Sequence, residues 1–174
     1  MVDLGSGPGY LASRLSQEFP GSEVIGLDIS EETLELAIAD WPANYYRNIQ
    51  FCCGDVERLP FKDGVIDIII SSLSLHHWRN PKKAVLEINR VLKPGGQFLI
   101  MDLRRDARRF YYYVFVIGQL FAPAALRRIN GAVGSFWSSY TPEELDGLLS
   151  EASFEDMKIK PQFGWMFAFG SKWR

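Results

Sequence analysis

Three glycines at alternate positions, Gly5, Gly7 and Gly9, follow the apolar stretch "MVDL". Glycine serves where backbone turns sharply, or where a ligand comes too close for a side chain. A strand that runs into such a loop is therefore a ligand-binding signature. The spacing here is GxGxG. A dinucleotide fingerprint wants GxGxxG, with a pyrophosphate on the helix N-terminus, and Tyr10 stands where its third glycine would be. Two aspartates extend the pattern. Asp28 closes "EVIGLD", about 20 residues beyond the loop, where a carboxylate can accept both hydroxyls of a ribose. Asp55 lies in "GDVERLPF", where a carboxylate can accept from an adenine amino group. Each aspartate alone reads equally well as a loop or cap residue. With the loop, at three successive strand ends, they point to a nucleoside-type ligand.

His76 and His77 are the only histidines. Both follow a fourth apolar strand, at the expected substrate mouth. Packing or loop capping, a substrate-side base or hydrogen-bonding role, and metal ligation are all open to them. Metal ligation lacks a third ligand nearby, and no metal is expected. Trp78 reads as packing or as a cation-binding wall, and Tyr10 as core or as a ligand contact.

The elements that must position these residues alternate. A strand ends at Leu4 and a helix covers Tyr10–Glu18, stopping at Pro20-Gly21. "EVIGLD" is a strand, and Ser30 caps a helix with Glu31 and Glu32 in its first turn, where acids are favoured. "IQFCCGD" and the mainly apolar "VIDIIISS" are strands, the latter expected to be buried on both faces. Asn80-Pro81 starts a helix that ends near Leu92. Pro94-Gly95-Gly96 then turns the chain into the strand "QFLIMDL". Such alternation means βαβ units, a parallel sheet and helices on both faces, with ligands at the carboxyl ends of the strands. After the insert-like residues 104–138, Thr141, Pro142 and Glu144 form a capping box and open a further helix. A terminal pair of strands follows, with Pro161 at an edge or a turn.

"VDLGSGPG", "GLDIS", "GDVERLPF", "DIIISSLSLHHW", "RVLKPGG" and "SYTPEELDGLLSEASF" stand in this order. In them the chain resembles the class I S-adenosylmethionine-dependent methyltransferases, above all the small-molecule type 11 branch with the ubiquinone/menaquinone C-methyltransferases. The resemblance implies a three-layer, doubly wound, Rossmann-like α/β fold with seven strands, the last antiparallel. It implies that Gly5, Gly7 and Gly9 pass close to the methionine portion of S-adenosylmethionine, or of the product S-adenosylhomocysteine, with Ser6 of the same loop cofactor-binding and Asp3 supporting the loop or reaching the cofactor through water. It puts Asp28 and Ile29 at the ribose, Gly54, Asp55 and Val56 at the adenine, and Ser71 and Ser72 near the amino group. Members usually carry a helix ahead of a longer first strand. Here Met1 stands inside that strand, so the N-terminus reads as shortened and the cofactor site as more open. The expected activity is methyl transfer to a small molecule, with a catalytically inactive cofactor-binding protein as the alternative.

One domain over 1–174 is expected, with a substrate-side helical insertion at about 104–138. That segment can cover exposed core, wall a pocket for a greasy or aromatic substrate, or make a homodimer or membrane-surface contact. The pocket is the reading taken, lined from Tyr111, Tyr112, Tyr113, Phe136 and Trp137.

Composition narrows the rest. With 19 Lys and Arg against 21 Asp and Glu, the net charge is -2, which gives no electrostatic case for nucleic acid. No (D/N)PP(Y/F/W) motif follows the fourth strand. Cys52 and Cys53 are adjacent and lack a CxxC partner, so they read as reduced thiols on a buried strand. No leader is read ahead of the first strand, and no run reaches the roughly 20 apolar residues of a membrane span. A cytoplasmic setting is expected.

Overall fold

The computed structural model describes residues 1–42, 47–107, 117 and 131–174. Tyr111, Tyr112 and Tyr113 lie outside the described residues. Seven strands form one sheet: β1 (Val2–Leu4), β2 (Val24–Asp28), β3 (Ile49–Cys53), β4 (Ile66–Ser72), β5 (Leu92–Leu103), β6 (Phe154–Pro161) and β7 (Trp165–Lys172). Their order is β3-β2-β1-β4-β5-β7-β6. The pairings from β3 to β5 are parallel, and β7 runs antiparallel to both β5 and β6. This is the α/β architecture expected from the sequence. The central β1 has only three residues, all of them buried.

The helices are α1 (Tyr10–Glu18), α2 (Glu31–Asp40), α3 (Pro81–Val91), α4 (Gly131–Ser138) and α5 (Pro142–Leu149), with a 3-10 turn at Leu75–His77. Their starts are set by local chemistry. Ser30 accepts from Thr33 N–H, Asn80 accepts from Lys83 N–H, and Thr141 with Glu144 forms a reciprocal capping box. In α3 the buried residues Ala84, Val85, Ile88 and Val91 fall on one face at helical spacing. That face meets Leu145, Leu148 and Leu149 of α5 and the inward side chains of the sheet, Leu4, Leu27, Ile69, Phe98 and Met166 among them. A smaller cluster joins Ala12 of α1 to Val24 and Ile49. Val24 belongs to this cluster while its neighbour Ile25 packs on the larger one. Successive strand residues face opposite sides, so the two clusters lie on opposite faces of the sheet and the fold has three layers.

Two elements differ from expectation. Strand β5 begins at Leu92 rather than after Gly96. Its ladder with β4 jumps from Ile66↔Leu92 to Ile68↔Gln97, so Pro94-Gly95-Gly96 is a bulge, with Gly95 at φ 75, and not a separate turn. Cys52 is half-buried and Cys53 exposed, because β3 is an edge strand with one neighbour and not a buried one. Pro161 ends the other edge strand, β6, where no ladder hydrogen bond is lost.

Candidate active site

The glycine loop is tied to the second strand. Gly5 N–H and Ser6 N–H both donate to the Leu27 carbonyl, at 2.8 and 3.0 Å. Gly5 has φ 70, and a Cβ there would lie 2.2 Å from Ser74 Oγ, so the loop can pass this close to the fourth strand's exit only without a side chain. Gly7 has φ 51, and a Cβ there would meet nothing within 4 Å; it faces open cavity. Gly9 is the N-cap of α1 and stands behind the loop.

Asp28 organises the loop from β2. Its Oδ2 accepts from Gly7 N–H at 2.8 Å, and its Oδ1 accepts from Ser30 N–H at 2.9 Å and from Thr33 Oγ1 at 3.5 Å. At the end of β3, Gly54 N–H donates to the Asp28 carbonyl. Asp55 Oδ1 accepts from Glu57 N–H at 2.9 Å, and Arg58 N–H closes the turn on the Asp55 carbonyl. Glu57 Oε1 in turn accepts from Asn80 N–H. The chain beyond is braced by Arg90, which donates to the carbonyls of Leu59 and Phe61 and to Glu87 and Asp63.

The fourth strand ends in a knot around Ser74. Ser74 Oγ donates to the Leu4 carbonyl at 3.2 Å and accepts from Trp78 Nε1 at 2.9 Å, with Ser71 Oγ 3.3 Å away. Leu73 has φ 55, a left-handed backbone that costs an ordinary L-residue about 1–2 kcal/mol. Such strain persists only where surrounding structure imposes it. Here Leu73 N–H donates to the Met101 carbonyl on β5. The His76 side chain is 3% exposed and its Nδ1 lies 2.6 Å from Asp102 Oδ1. His77 is solvent-accessible and packs against His76 at a tilt of 48°, ring centroids 4.1 Å apart. Partial burial, then the neighbouring His76, pushes the His77 imidazole below its ordinary 6.5.

These four strand ends border a cavity of about 470 Å³, within the usual range for small-molecule sites. Of the expected residues, Gly5, Gly7, Asp28, Ile29, Gly54, Asp55, Val56 and His77 line it. Asp3, Ser6, Gly9, Ser71, Ser72 and His76 are not in its lining. Phe136 is buried in the fold at 3% exposure, and Trp137 is 59% exposed; neither belongs to the lining. Tyr10 is exposed and meets Trp41 edge-on. Trp78 packs on the core and also lines the cavity. Sequence reasoning missed Thr33, Glu57, Leu73, Ser74 and Arg79 in the lining, and missed Asp102 behind it. The one signal for Asp102 was an acid interrupting the apolar "QFLIMDL".

The donor set fits an adenosyl sulfonium compound. Asp28 and Asp55 are the acceptors a ribose diol and an adenine amino group require, and the lining carboxylates suit a cation better than a pyrophosphate. Beneath the loop, Asp3 Oδ2 and Ser6 Oγ are buried with no hydrogen-bond partner. Natural proteins rarely leave such atoms unpaired without a ligand, ion or water to meet them. Burial pushes Asp3 from its ordinary 3.8 to about 7, so a nearby cation would draw its proton off. Among the described residues no group of three or more His, Cys, Asp and Glu is arranged to hold a metal ion.

A family model described as a methyltransferase domain, Methyltransf_11, matches residues 2–100. The chain belongs to that family. Its fold is the one seen in a SAM-dependent methyltransferase from Aquifex aeolicus, with TM-score 0.72 and 19% identity over 98% of this chain and 80% of that one. An uncharacterized methyltransferase of Bacillus subtilis, YcgJ, is 37% identical over 59% of this chain and 40% of its own. A demethylmenaquinone methyltransferase of Thermus thermophilus is 28% identical over 94% of this chain and 73% of its own. With several curated relatives, the match spans 40% or less of the relative's length. The chain therefore carries a methyltransferase domain by family, in the fold of the solved S-adenosylmethionine-dependent methyltransferase.

Proposed function

We propose that this chain transfers a methyl group from S-adenosylmethionine to a small, lipophilic or aromatic acceptor. The observation that carries the reading is a single cavity shared by Gly7, Asp28 and Asp55 on one side and Leu73, His77 and Trp78 on the other. When bound, the cofactor supplies an electrophilic methyl group on a sulfonium, open to in-line displacement by an N, O, S or C nucleophile. The chain's own residues hold and orient. Asp28 takes the ribose hydroxyls, Asp55 and the Val56 backbone take the adenine, and the open face of Gly7 admits the methionine portion. Orientation of this kind is worth about 7–11 kcal/mol of barrier in favourable cases. His77, pushed toward its neutral form, is available at pH 7 to accept a hydrogen bond or proton from the acceptor. His76 serves behind it. Leu73 and Trp78 give the acceptor side an apolar wall, and the reading assigns Tyr111, Tyr112 and Tyr113 of the 104–138 insert to its extension within a single domain.

The name of the Thermus thermophilus relative is in line with a lipophilic ring as acceptor. No helix among the described residues is long and apolar enough to cross a membrane, and the reading keeps the enzyme in the cytoplasm, acting on no nucleic acid. Incubation with methyl-labelled S-adenosylmethionine and a fractionated metabolite and lipid extract tests it. Label should move into organic-extractable small molecules, and the transfer should vanish in Asp28→Ala. Tight S-adenosylhomocysteine binding with no transfer to any fraction would instead mark a binding protein that has lost catalysis.

A further inference from the structure

We propose that Asp102, at the carboxyl end of β5, is a positioning residue for the reaction centre: it clamps His76 by main chain and ring, and through His76 it fixes the imidazole of His77 at the cavity wall. The inference rests on reading the cavity as the methyl-transfer site.

One carboxylate takes three donors. Asp102 Oδ2 accepts from His76 N–H at 3.1 Å, while Oδ1 meets His76 Nδ1 at 2.6 Å and accepts from Leu103 N–H at 2.6 Å. The Asp102 side chain is 1% exposed. Burying such a pair costs about as much in desolvation as the attraction returns, so a gain in stability explains it poorly. What the pair does fix is geometry. Two bonds to one residue, one to its backbone and one to its ring, fix the His76 ring, and His77 packs against that ring at a tilt of 48°, centroids 4.1 Å apart. The rest of the turn is pinned from the other side. His77 N–H donates to the Ser74 carbonyl, Trp78 N–H to the Leu75 carbonyl, and Leu75 is fully buried. Helix α4 packs against the turn as well. Of the turn Leu75–His77, His77 is the residue that lines the cavity. Among the described residues, His76, Asp102 and Asp28 act on it electrostatically, and Asp55, Glu57 and Arg79 share the cavity lining with it.

The chain has only two histidines, so ring-nitrogen-edited NMR spectra read both without labelling ambiguity. The parent should show one ring with a slowly exchanging Nδ1 proton, His76, and a second, His77, whose signals shift when S-adenosylhomocysteine is added. In Asp102→Asn the slow proton should disappear. The affinity for S-adenosylhomocysteine by calorimetry should stay within about threefold, because Asp28 and Asp55 are untouched. The shift of His77 on ligand addition should fall by more than half, and its titration midpoint should rise toward that of an ordinary histidine as the ring leaves its partly buried position, against the downward move that loss of the Asp102 charge alone would give. Without a positioning role, Asp102→Asn would lower the midpoint and leave the ligand response intact. Should Asp102→Asn fail to fold, His76→Gln is read by the ligand response of His77, since glutamine keeps a donor for Asp102 but offers no ring for His77 to pack on. An unchanged ligand response of His77 in a folded, ligand-binding variant would overturn the proposal. Failure of the parent itself to bind S-adenosylhomocysteine would instead bring down the methyl-transfer reading beneath it.

Discussion

Asp28→Asn is the most informative single change to the cofactor side. The substitution keeps the shape of the side chain and replaces one acceptor oxygen with an amide. In the parent, both oxygens are in use toward the protein: Oδ2 by Gly7 N–H, Oδ1 by Ser30 N–H and Thr33 Oγ1. If the asparagine oxygen stays with Ser30 and Thr33, its NH2 group confronts Gly7 N–H, donor against donor. One hydrogen bond to a charged acceptor is lost, worth about 1.5–3 kcal/mol. For a chain of this length about 2–4 °C is lost per kcal/mol, so Tm should fall by about 3–12 °C. The same bond holds the loop in its binding shape, and the ribose loses a charged acceptor besides. At about 1.4 kcal/mol per tenfold, affinity for S-adenosylhomocysteine should drop about 10- to 100-fold. Calorimetric titration and thermal melting at pH 7 measure the two effects separately. Cys53→Ser, paired across the ladder from Asp28 but outside the cavity, is the control and should change neither. An Asp28→Asn protein that binds within twofold of the parent would show that Asp28 is a loop strut and not a ribose ligand.

Gly7→Ala places a methyl group in open cavity at φ 51; it should lose about 1–2 kcal/mol of stability to left-handed strain and bind S-adenosylhomocysteine at least about tenfold more weakly, as calorimetry would register. Leu73→Gly removes the strain at φ 55 and adds the entropy of glycine, about 0.5–1 kcal/mol, so its Tm should hold or rise slightly even as a wall of the cavity is lost; a clear fall in Tm would show that the leucine side chain contributes more by packing than its backbone costs. Asp3→Asn tests the buried acid. Burial raises Asp3 from 3.8 to about 7, so the folded chain keeps a proton that the unfolded chain releases, and parent stability falls as pH rises across that window and is level above it. The Tm of Asp3→Asn relative to the parent should therefore climb from pH 4 to pH 7 and stay flat beyond; a difference independent of pH would show that Asp3 does not titrate there.

Much of the frame was legible because its signals are local. Ser30, Asn80 and the Thr141–Glu144 box each announce a helix start within four residues, and the glycines with Asp28 and Asp55 sit at strand ends that apolar runs define. What escaped depends on partners far along the chain. Asp102 gains its role from His76, 26 residues away. Ser74 matters through Leu4, 70 residues away, and nothing in "SLSLHHW" distinguishes it from Ser72. Leu73 carries no mark of its left-handed backbone, since that conformation is imposed by Met101 across the sheet. The exposure of Cys53 follows from strand order, which residue type does not encode. Pro94-Gly95-Gly96 has the composition of a turn, and only the pairing of Leu92 with Ile66 makes it a bulge.

A crystal structure grown with S-adenosylhomocysteine tests the central claim most directly. The account predicts one molecule per chain in the cavity between Gly7, Asp28 and Asp55, with the ribose hydroxyls on Asp28, the adenine beside Asp55 and the sulfur turned toward the wall that His77 and Leu73 form. A cavity left empty at saturating ligand, or one that takes NADH and refuses S-adenosylhomocysteine, would contradict it.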